Sequence, residues 1–527
     1  MEKPAADGYK NKALKTMAAG SMIVFVGMMA DRVLGYITRI ILARGLAPSE
    51  YGMFFLALSF LSIGIAISVI GLPGALERYV AYYHGRGDSR RVRGIVNSAF
   101  RLSVPIAVAV FAVLFGLSDI LSNDVFGNPG LSPLIKVLSF AVLAAPFIRL
   151  SLGTTTGFRK AKYEVMIRAL FKSVLTLIAV VAALYFGFGV IGTGLAYMLG
   201  FVFTGILAFY FMSRLLNRMT GSERRSIPMK GKLLSFSVPL VFAGFVWNIL
   251  SQADTIILGV FKSEIDVGLY HVVLPNAQLL LVVPVAIYYL LLPTISDLFA
   301  KNKKNDIKSI YKTVARLGFY FNFPLFLIVF VFPNEVITFI FGSNYLVGGM
   351  VGYAQSILAV GFFIYSFSRI SNAVISLYER TGLWLLNAIL TLGSNVLLDI
   401  ILVPLYGVIG AAVATTISFI FFSILNIAEG FYISKPRMHP FDWGILKSVF
   451  SGAVSIIIIY VLSISFLGMG NIIHFFIWVF AFFLVYAFVL VISGGLRKED
   501  LRLLKLIERK LGLNVGWLFR IVDRFSK

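Results

Sequence analysis

Apolar runs of membrane-spanning length recur from one end of the chain to the other. Residues 56–76, 103–117, 165–186, 189–213, 280–293 and 443–467 are such runs, and each approaches the ~20 residues that cross a hydrocarbon core. With 59% of the 527 residues hydrophobic and 13% charged, a water-soluble globule would have no surface to present. In hydrocarbon the backbone must satisfy its own hydrogen bonds, so segments of this length become helices. The chain is therefore read as an all-α polytopic membrane protein with about fourteen transmembrane helices. They are placed at 17–43, 52–75, 92–117, 131–152, 162–186, 189–213, 232–258, 268–295, 309–332, 346–370, 381–404, 407–431, 443–467 and 471–493.

The net charge of +23 invites a nucleic-acid reading, which the placement of the charges removes. Lys and Arg concentrate in alternate loops, at Arg78 to Arg93, Arg159 to Lys162, Arg214 to Lys232, Lys301 to Lys308, Arg380, Lys435 to Arg437, and from Arg497 onward. The intervening loops hold only Arg44 and Lys262. This positive-inside pattern puts both termini in the cytoplasm of a cell-membrane protein, and assigns the basic excess to orientation and to anionic membrane lipids. The leader 1–16, with Lys3, Lys10, Lys12 and Lys15, runs straight into the first span without a cleavage pattern. The tail 494–527 mixes Leu501, Leu504, Leu511, Leu518 and Ile521 with basic residues and reads as an amphipathic helix on the cytoplasmic leaflet. The segment 77–93, with Tyr79, Tyr82 and Tyr83 before its arginines, reads the same way. The chain has no cysteine, so no disulfide framework forms.

The sequence also repeats itself. Leu42, Glu50, Gly52 and Phe54 realign with Leu258, Asp266, Gly268 and Tyr270 at a shift of 216. Arg101-Leu102 meets Arg316-Leu317, and Phe126-Gly127 meets Phe341-Gly342, at a shift of 215. Gly189-Val190-Ile191-Gly192 meets Gly407-Val408-Ile409-Gly410 at 218. One near-constant offset over such distances marks two six-helix lobes, 17–213 and 232–431, joined by a cytoplasmic linker 214–231 and followed by two further spans within 432–493. An even number of spans per copy makes the repeat parallel. Transporters built from such repeats hold substrate near the bilayer midplane and rock one half against the other.

The run Asp31-Arg32-Val33-Leu34-Gly35-Tyr36, the segment Leu42 to Gly52 and the later Ser251-Gln252-Ala253-Asp254-Thr255-Ile256-Ile257-Leu258-Gly259 resemble the polysaccharide-biosynthesis flippases of the multidrug/oligosaccharidyl-lipid/polysaccharide exporter superfamily. That resemblance implies export of a polyprenyl-diphosphate-linked oligosaccharide from the cytoplasmic to the outer leaflet. The Arg-Val-Leu-Gly run and Arg44 are also similar to the lipid II flippases, whose further arginine in this span falls at Thr38, next to Arg39 here. In those flippases the last two spans contribute a groove for the lipid tail.

Arg32 and Arg39 lie in the first span, seven residues apart with Gly35 between them, and leave one helix face. Charge at bilayer depth costs about 2.5–3.5 kcal/mol per residue on insertion scales and faces a wet cavity by default. Arg168, Lys172 and Thr176 follow at four-residue steps in the fifth span. Shifted by the repeat, Arg32 falls on Asn248, Gly35 on Ser251 and Arg39 on Thr255, with Gln252 and Asp254 beside them. The fifth-span trio falls on Asn387, Thr391 and Asn395, one turn before Asp399. The first lobe is thus cationic where the second is neutral or acidic. Arginine forks pair with phosphate, so Arg32, Arg39, Lys172 and Arg168 are the candidates for a diphosphate, with neutralisation of Arg32 by Asp31 or Asp254 and snorkelling of Arg39 and Arg168 left open. Amides and hydroxyls donate and accept, which suits Asn248, Gln252, Thr255, Asn387 and Asn395 to sugar hydroxyls, or equally to bonds between helices. Asp254 and Asp399 are the candidates for coupling to H+ or Na+, and pairing with arginine is equally open.

Three rivals stand beside the flippase. A cation-coupled multidrug exporter of the same superfamily would bind lipophilic cations, which Arg32 and Arg39 repel. A membrane glycan polymerase or transferase needs catalytic groups on sizeable outer loops, and the longest, near 118–130, offers only Asp119 and Asp124. A receptor would leave the repeat and the internal charges without use. The sequence carries no metal-ligand cluster, phosphate-binding glycine loop or nucleophile–base set, so no enzyme, metal or cofactor is expected.

Overall fold

The computed structural model describes residues 26–160, 162–221, 225–378, 380–434, 436–465, 471–497 and 500. Within them all regular structure is helical. The first helices are α1 (26–45), α2 (Pro48–Val69), α3 (Leu72–Gly85), α4 (Ser89–Ile120) and α5 (Leu131–Gly157). Then come α6 (Lys162–Tyr185), α7 (Gly189–Thr220), α8 (Lys230–Phe261), α9 (Glu264–Gln278) and α10 (Val282–Ala300). The chain goes on with α11 (Lys304–Val331), α12 (Pro333–Ile340), α13 (Met350–Leu377), α14 (Thr381–Tyr406), α15 (Val408–Ile433), α16 (Trp443–Ser465) and α17 (Ile472–Ile492). Among the described residues thirteen helical stretches are long and apolar enough to span a membrane. With α1, which carries Asp31, Arg32, Arg39 and Arg44, they agree with the fourteen expected. The leader and the chain beyond Asp500 lie outside the described residues.

Local chemistry sets the helix ends. Pro48 opens α2, where its missing N–H costs nothing, and the Glu50 carboxylate accepts the Ala47 N–H at 3.1 Å. Asp88 caps α4 by accepting the Arg91 N–H at 3.0 Å. The repeat is visible in the backbone too, because the equivalent residues Gly189 and Gly407 take φ of +56° and +55° where α7 and α15 begin.

The segment 77–93 departs from the surface-helix expectation. After a left-handed break at Ile70, α3 turns Leu72, Leu76, Val80 and Tyr83 into a core with Val92, Ile95 and Ala99 of α4 and Leu150 of α5. The protein, and not lipid, receives its apolar face. Its arginines and tyrosines pair by cation–π contact, with Arg86 4.4 Å from the Tyr82 ring centre.

The packing divides into two compact units between His271 and Val272. In the first unit, α8 and the start of α9 pack with the helices that precede them. The crossing of α2 and α9 explains why. A Cβ on Gly52 would stand 1.7 Å from the Glu264 carbonyl oxygen, and one on Gly268 2.3 Å from that of Pro48. Gly52 and Gly268 are equivalent in the repeat, and so are Pro48 and Glu264. Residue i meets j and j meets i, the signature of a two-fold axis through the contact. Only a missing side chain permits this approach. Gly52→Ala is therefore expected to cost roughly 3 kcal/mol, the upper end for overpacking, because the obstacle is backbone. A melting curve beside Gly116→Ala, whose added Cβ meets nothing within 4 Å, checks it.

In the second unit, α16 and α17 pack on α11 through Ile328, Phe332, Ile459, Phe475, Trp478 and Phe482. These side chains close on each other and leave about 10 Å³, scarcely one water, so no tail-sized groove opens among them. Phe476, Phe480, Leu484 and Phe488 of α17 stay exposed. Arg497 and Asp500, read as the start of a surface tail, instead join Arg316 and Asp442 in an ion cluster: Arg316 is 1% exposed and Asp500 fully buried.

Candidate functional site: a cationic cavity in the first unit

A cavity of about 220 Å³ opens within the first unit, between α1, α2, α6 and α7. From α1 it is lined by Asp31, Gly35, Thr38, Arg39 and Leu42, a stripe at helical spacing. From α2 come Phe54, Phe55 and Leu58, from α6 Lys172, Ser173 and Thr176, and from α7 Tyr197. The segment Val165–Lys172 of α6 is π-helical, a local widening that recurs at functional sites.

Asp31 and Arg39 sit eight residues apart, about 12 Å along the helix axis. The Ser173 hydroxyl donates to Asp31 at 2.5 Å, and the Arg168 Nε faces the same carboxylate at 3.4 Å. Arg168 also reaches Glu164, at 3.6 Å. Lys172 lies within electrostatic reach of Asp31, its ammonium 4.7 Å from the centre of the Phe201 ring. The Arg39 guanidinium lies 4.9 Å from the centre of the Phe55 ring. Phe55 in turn stacks on the His271 imidazole, with centres 4.2 Å apart and planes at 14°. The Thr255 hydroxyl bonds the His271 Nε2 at 2.9 Å, and the Tyr51 hydroxyl donates to the His271 carbonyl at 3.3 Å. Arg39 Nη1 and Thr176 Oγ1 are buried and make no hydrogen bond among the described residues.

Of the residues singled out in the sequence, Arg39, Lys172 and Thr176 come together here. Arg32 does not line the cavity: it is exposed, while Asp31 takes the inward position one residue earlier. Arg168 stands behind Asp31 as its ion-pair partner. Asn248 donates to the Ser62 hydroxyl at 3.0 Å, and Gln252 to the Ser251 hydroxyl at 3.1 Å. Thr255 is buried against His271, and Asp254 accepts the Tyr270 hydroxyl. In the second unit Asn387, Thr391, Asn395 and Asp399 run along one face of α14 at 0–1% exposure. Asn387 donates there to Glu429 at 2.8 Å. They are structural neighbours of one another and are not among the residues lining this cavity.

Sequence reading passed over Arg149, which lies within electrostatic reach of Asp31, Glu164, Arg168 and Lys172. Its signal was available, a lone arginine inside the apolar run of the fourth span. Tyr197 and the Phe55–His271 stack carry no such mark, since aromatic residues are common in every span.

Known proteins share this architecture. The sequence profile of the polysaccharide biosynthesis protein family matches residues 17–299. The probable low-salt glycan biosynthesis flippase Agl15 of Haloferax volcanii is 23% identical over 492 residues, covering 92% of this chain and 97% of its own length. The lipid II flippase MurJ of Bacillus subtilis is 20% identical, covering 79% and 82%. Among solved structures, an inward closed conformation of the lipid II flippase MurJ superposes with a TM-score of 0.71 at 16% identity, over 89% of this chain and 98% of that one. An inward-facing multidrug resistance MATE family transporter of the MOP superfamily follows at 0.65 and 16% identity, over 77% and 97%. These likenesses show a common fold, and since the family profile covers more than half of the 527 residues, the chain belongs to the polysaccharide biosynthesis protein family.

Proposed function

We propose that this protein is a flippase that moves a polyprenyl-diphosphate-linked oligosaccharide from the cytoplasmic to the outer leaflet by alternating access. The observation that carries this reading is the donor set of the cavity. Arg39 and Lys172 line one space among membrane-spanning helices, with Arg39 Nη1 and Thr176 Oγ1 buried and without a hydrogen-bond partner among the described residues. Unpaired buried donors are costly, and a diphosphate supplies the acceptors they lack. The cavity has room for the diphosphate and the group next to it, so the rest of the glycan and the polyprenyl tail extend beyond it. Relatives named as glycan-biosynthesis and lipid II flippases support the same substrate class. Asp254 and Asp399 are the carboxylates at which a driving H+ or Na+ would act.

The MATE likeness favours a drug exporter as the second reading, and the cavity's charge opposes it, since lipophilic cations would meet Arg39 and Lys172. Proteoliposomes decide between them. A fluorescent polyprenyl-diphosphate oligosaccharide is expected to become accessible on the far leaflet with the parent protein, and at least tenfold more slowly with Arg39→Gln/Lys172→Gln. Equal rates in both, or transport of ethidium instead, would overturn the reading.

A further inference from the structure

The polar side chains that line the cavity are hydroxyls and cations with one exception. Asp31 is the single carboxylate among its lining residues, placed on the inward stripe of α1 one turn before Gly35. Ser173, itself on the cavity lining, donates to Oδ1 at 2.5 Å, and Arg168 faces Oδ2 at 3.4 Å. An ionised carboxylate has about four lone-pair sites, so these two contacts leave acceptor capacity for a ligand in the cavity. Arg168 is shared with Glu164 at 3.6 Å and is thus divided between two carboxylates.

Resting on the flippase reading above, we propose that Asp31 selects the glycosylated diphosphate over the bare lipid carrier by accepting a hydrogen bond from the first sugar. A diphosphate held between Arg39 and Lys172 directs its outer substituent toward Asp31. In the loaded lipid that substituent is a sugar, whose hydroxyl or amide N–H donates to the carboxylate. In the bare carrier the substituent is missing and the diphosphate itself ends in a terminal phosphate, a pure acceptor carrying about −1.5 to −2 charge. Two acceptors then face each other without a proton between them, and their charges repel. Sites built to bond a substrate hydroxyl reject analogues lacking it far more strongly than apolar pockets reject a missing methylene, and a like charge adds negative selection. The consequence is directional, because the spent carrier does not compete with the loaded one for the same cavity.

The test uses the full-length protein in detergent with farnesyl diphosphate and its diester with N-acetylglucosamine, affinities being read by native mass spectrometry. The parent is expected to prefer the glycosylated ligand by tenfold or more. Asp31→Asn should shrink that ratio at least fivefold by gaining affinity for farnesyl diphosphate. Arg168→Gln, which removes the ion pair and leaves the carboxylate, should keep the preference. An unchanged ratio in Asp31→Asn, with both ligands weakened alike, would reduce Asp31 to a structural partner of Arg168. Should Asp31→Asn fail to fold, the parent alone still decides, since equal binding of the two ligands overturns the proposal. A parent that binds neither removes the flippase reading itself.

Discussion

Asp500→Ala is expected to cost roughly 3–5 kcal/mol of stability, the range for stranding one partner of a buried ion pair. Arg316 lies on α11 with 1% of its surface exposed. Its Nε and Nη2 donate to Asp500 at 3.1 and 2.5 Å, and its Nη1 faces Asp442 at 3.3 Å. Arg497 closes the cluster on Asp442 at 2.8 Å. Around it the Tyr320 hydroxyl donates to the Gly495 carbonyl at 2.6 Å, and the Tyr486 hydroxyl to the Tyr320 carbonyl at 3.0 Å. The last two spans are thus bolted to α11 by charge and hydrogen bonds as well as by apolar packing. Without Asp500 the guanidinium stays buried with one carboxylate fewer. Pairing the change with Arg316→Met should recover much of the loss, because replacing a whole buried pair with apolar groups is often neutral. Melting curves of the single and double variants check both statements, and a double variant no more stable than the single would refute the account.

The same cluster predicts acid sensitivity. Burial raises the Asp442 carboxyl, but the Gly444 N–H and the Arg316 and Arg497 guanidinium groups outweigh it and hold the group below the usual carboxylate range. A depressed carboxylate stabilises the fold above its unfolded pKa, near 3.9, and loses that contribution as pH falls through the folded value. Unfolding by acid should therefore begin below about pH 4 at this junction, and Asp442→Asn should flatten the dependence.

Arg39→Gln is expected to weaken binding of the lipid diphosphate by roughly 10–100-fold, the worth of a charge-assisted hydrogen bond at about 1.5–3 kcal/mol. Stability should fall only by the worth of the Phe55 contact, about 0.5–2 kcal/mol, because Arg39 Nη1 has no hydrogen-bond partner among the described residues to lose. Arg39→Lys should fall in between: it restores the charge but neither the two-pronged fork nor the planar guanidinium beside Phe55. Calorimetric titration with farnesyl diphosphate N-acetylglucosamine diester, beside a melting curve, separates these outcomes. A large loss of melting temperature with unchanged affinity would make Arg39 a structural residue.

The helical, membrane-spanning character, the number of spans and the internal repeat were legible in the residues, since each depends on local or periodic pattern. The repeat even pointed to the pair Gly52 and Gly268 before their contact was known. The candidate site was legible in part. A cationic stripe in the first span and another in the fifth are detectable because charge is scarce in apolar runs, and Arg149 is detectable by the same signal. Helical periodicity places Arg32 and Arg39 about 20° apart around α1. That much is local geometry. It does not say which angle faces inward, and the inward face of α1 turned out to centre on Asp31, Gly35, Thr38 and Leu42, with Arg39 at its edge.

The polar stripe of α14 makes the same point. Asn387, Asn395 and Asp399 share a face by their spacing, yet whether that face meets a lumen or a neighbouring helix depends on residues distant in sequence, such as Glu429. The Arg316 cluster gathers side chains from three stretches of chain, and no local pattern brings them together. Period and composition act along one helix and can be read from it. Facing, burial and ion pairing are set by which helices pack together, and that is a property of the folded bundle alone.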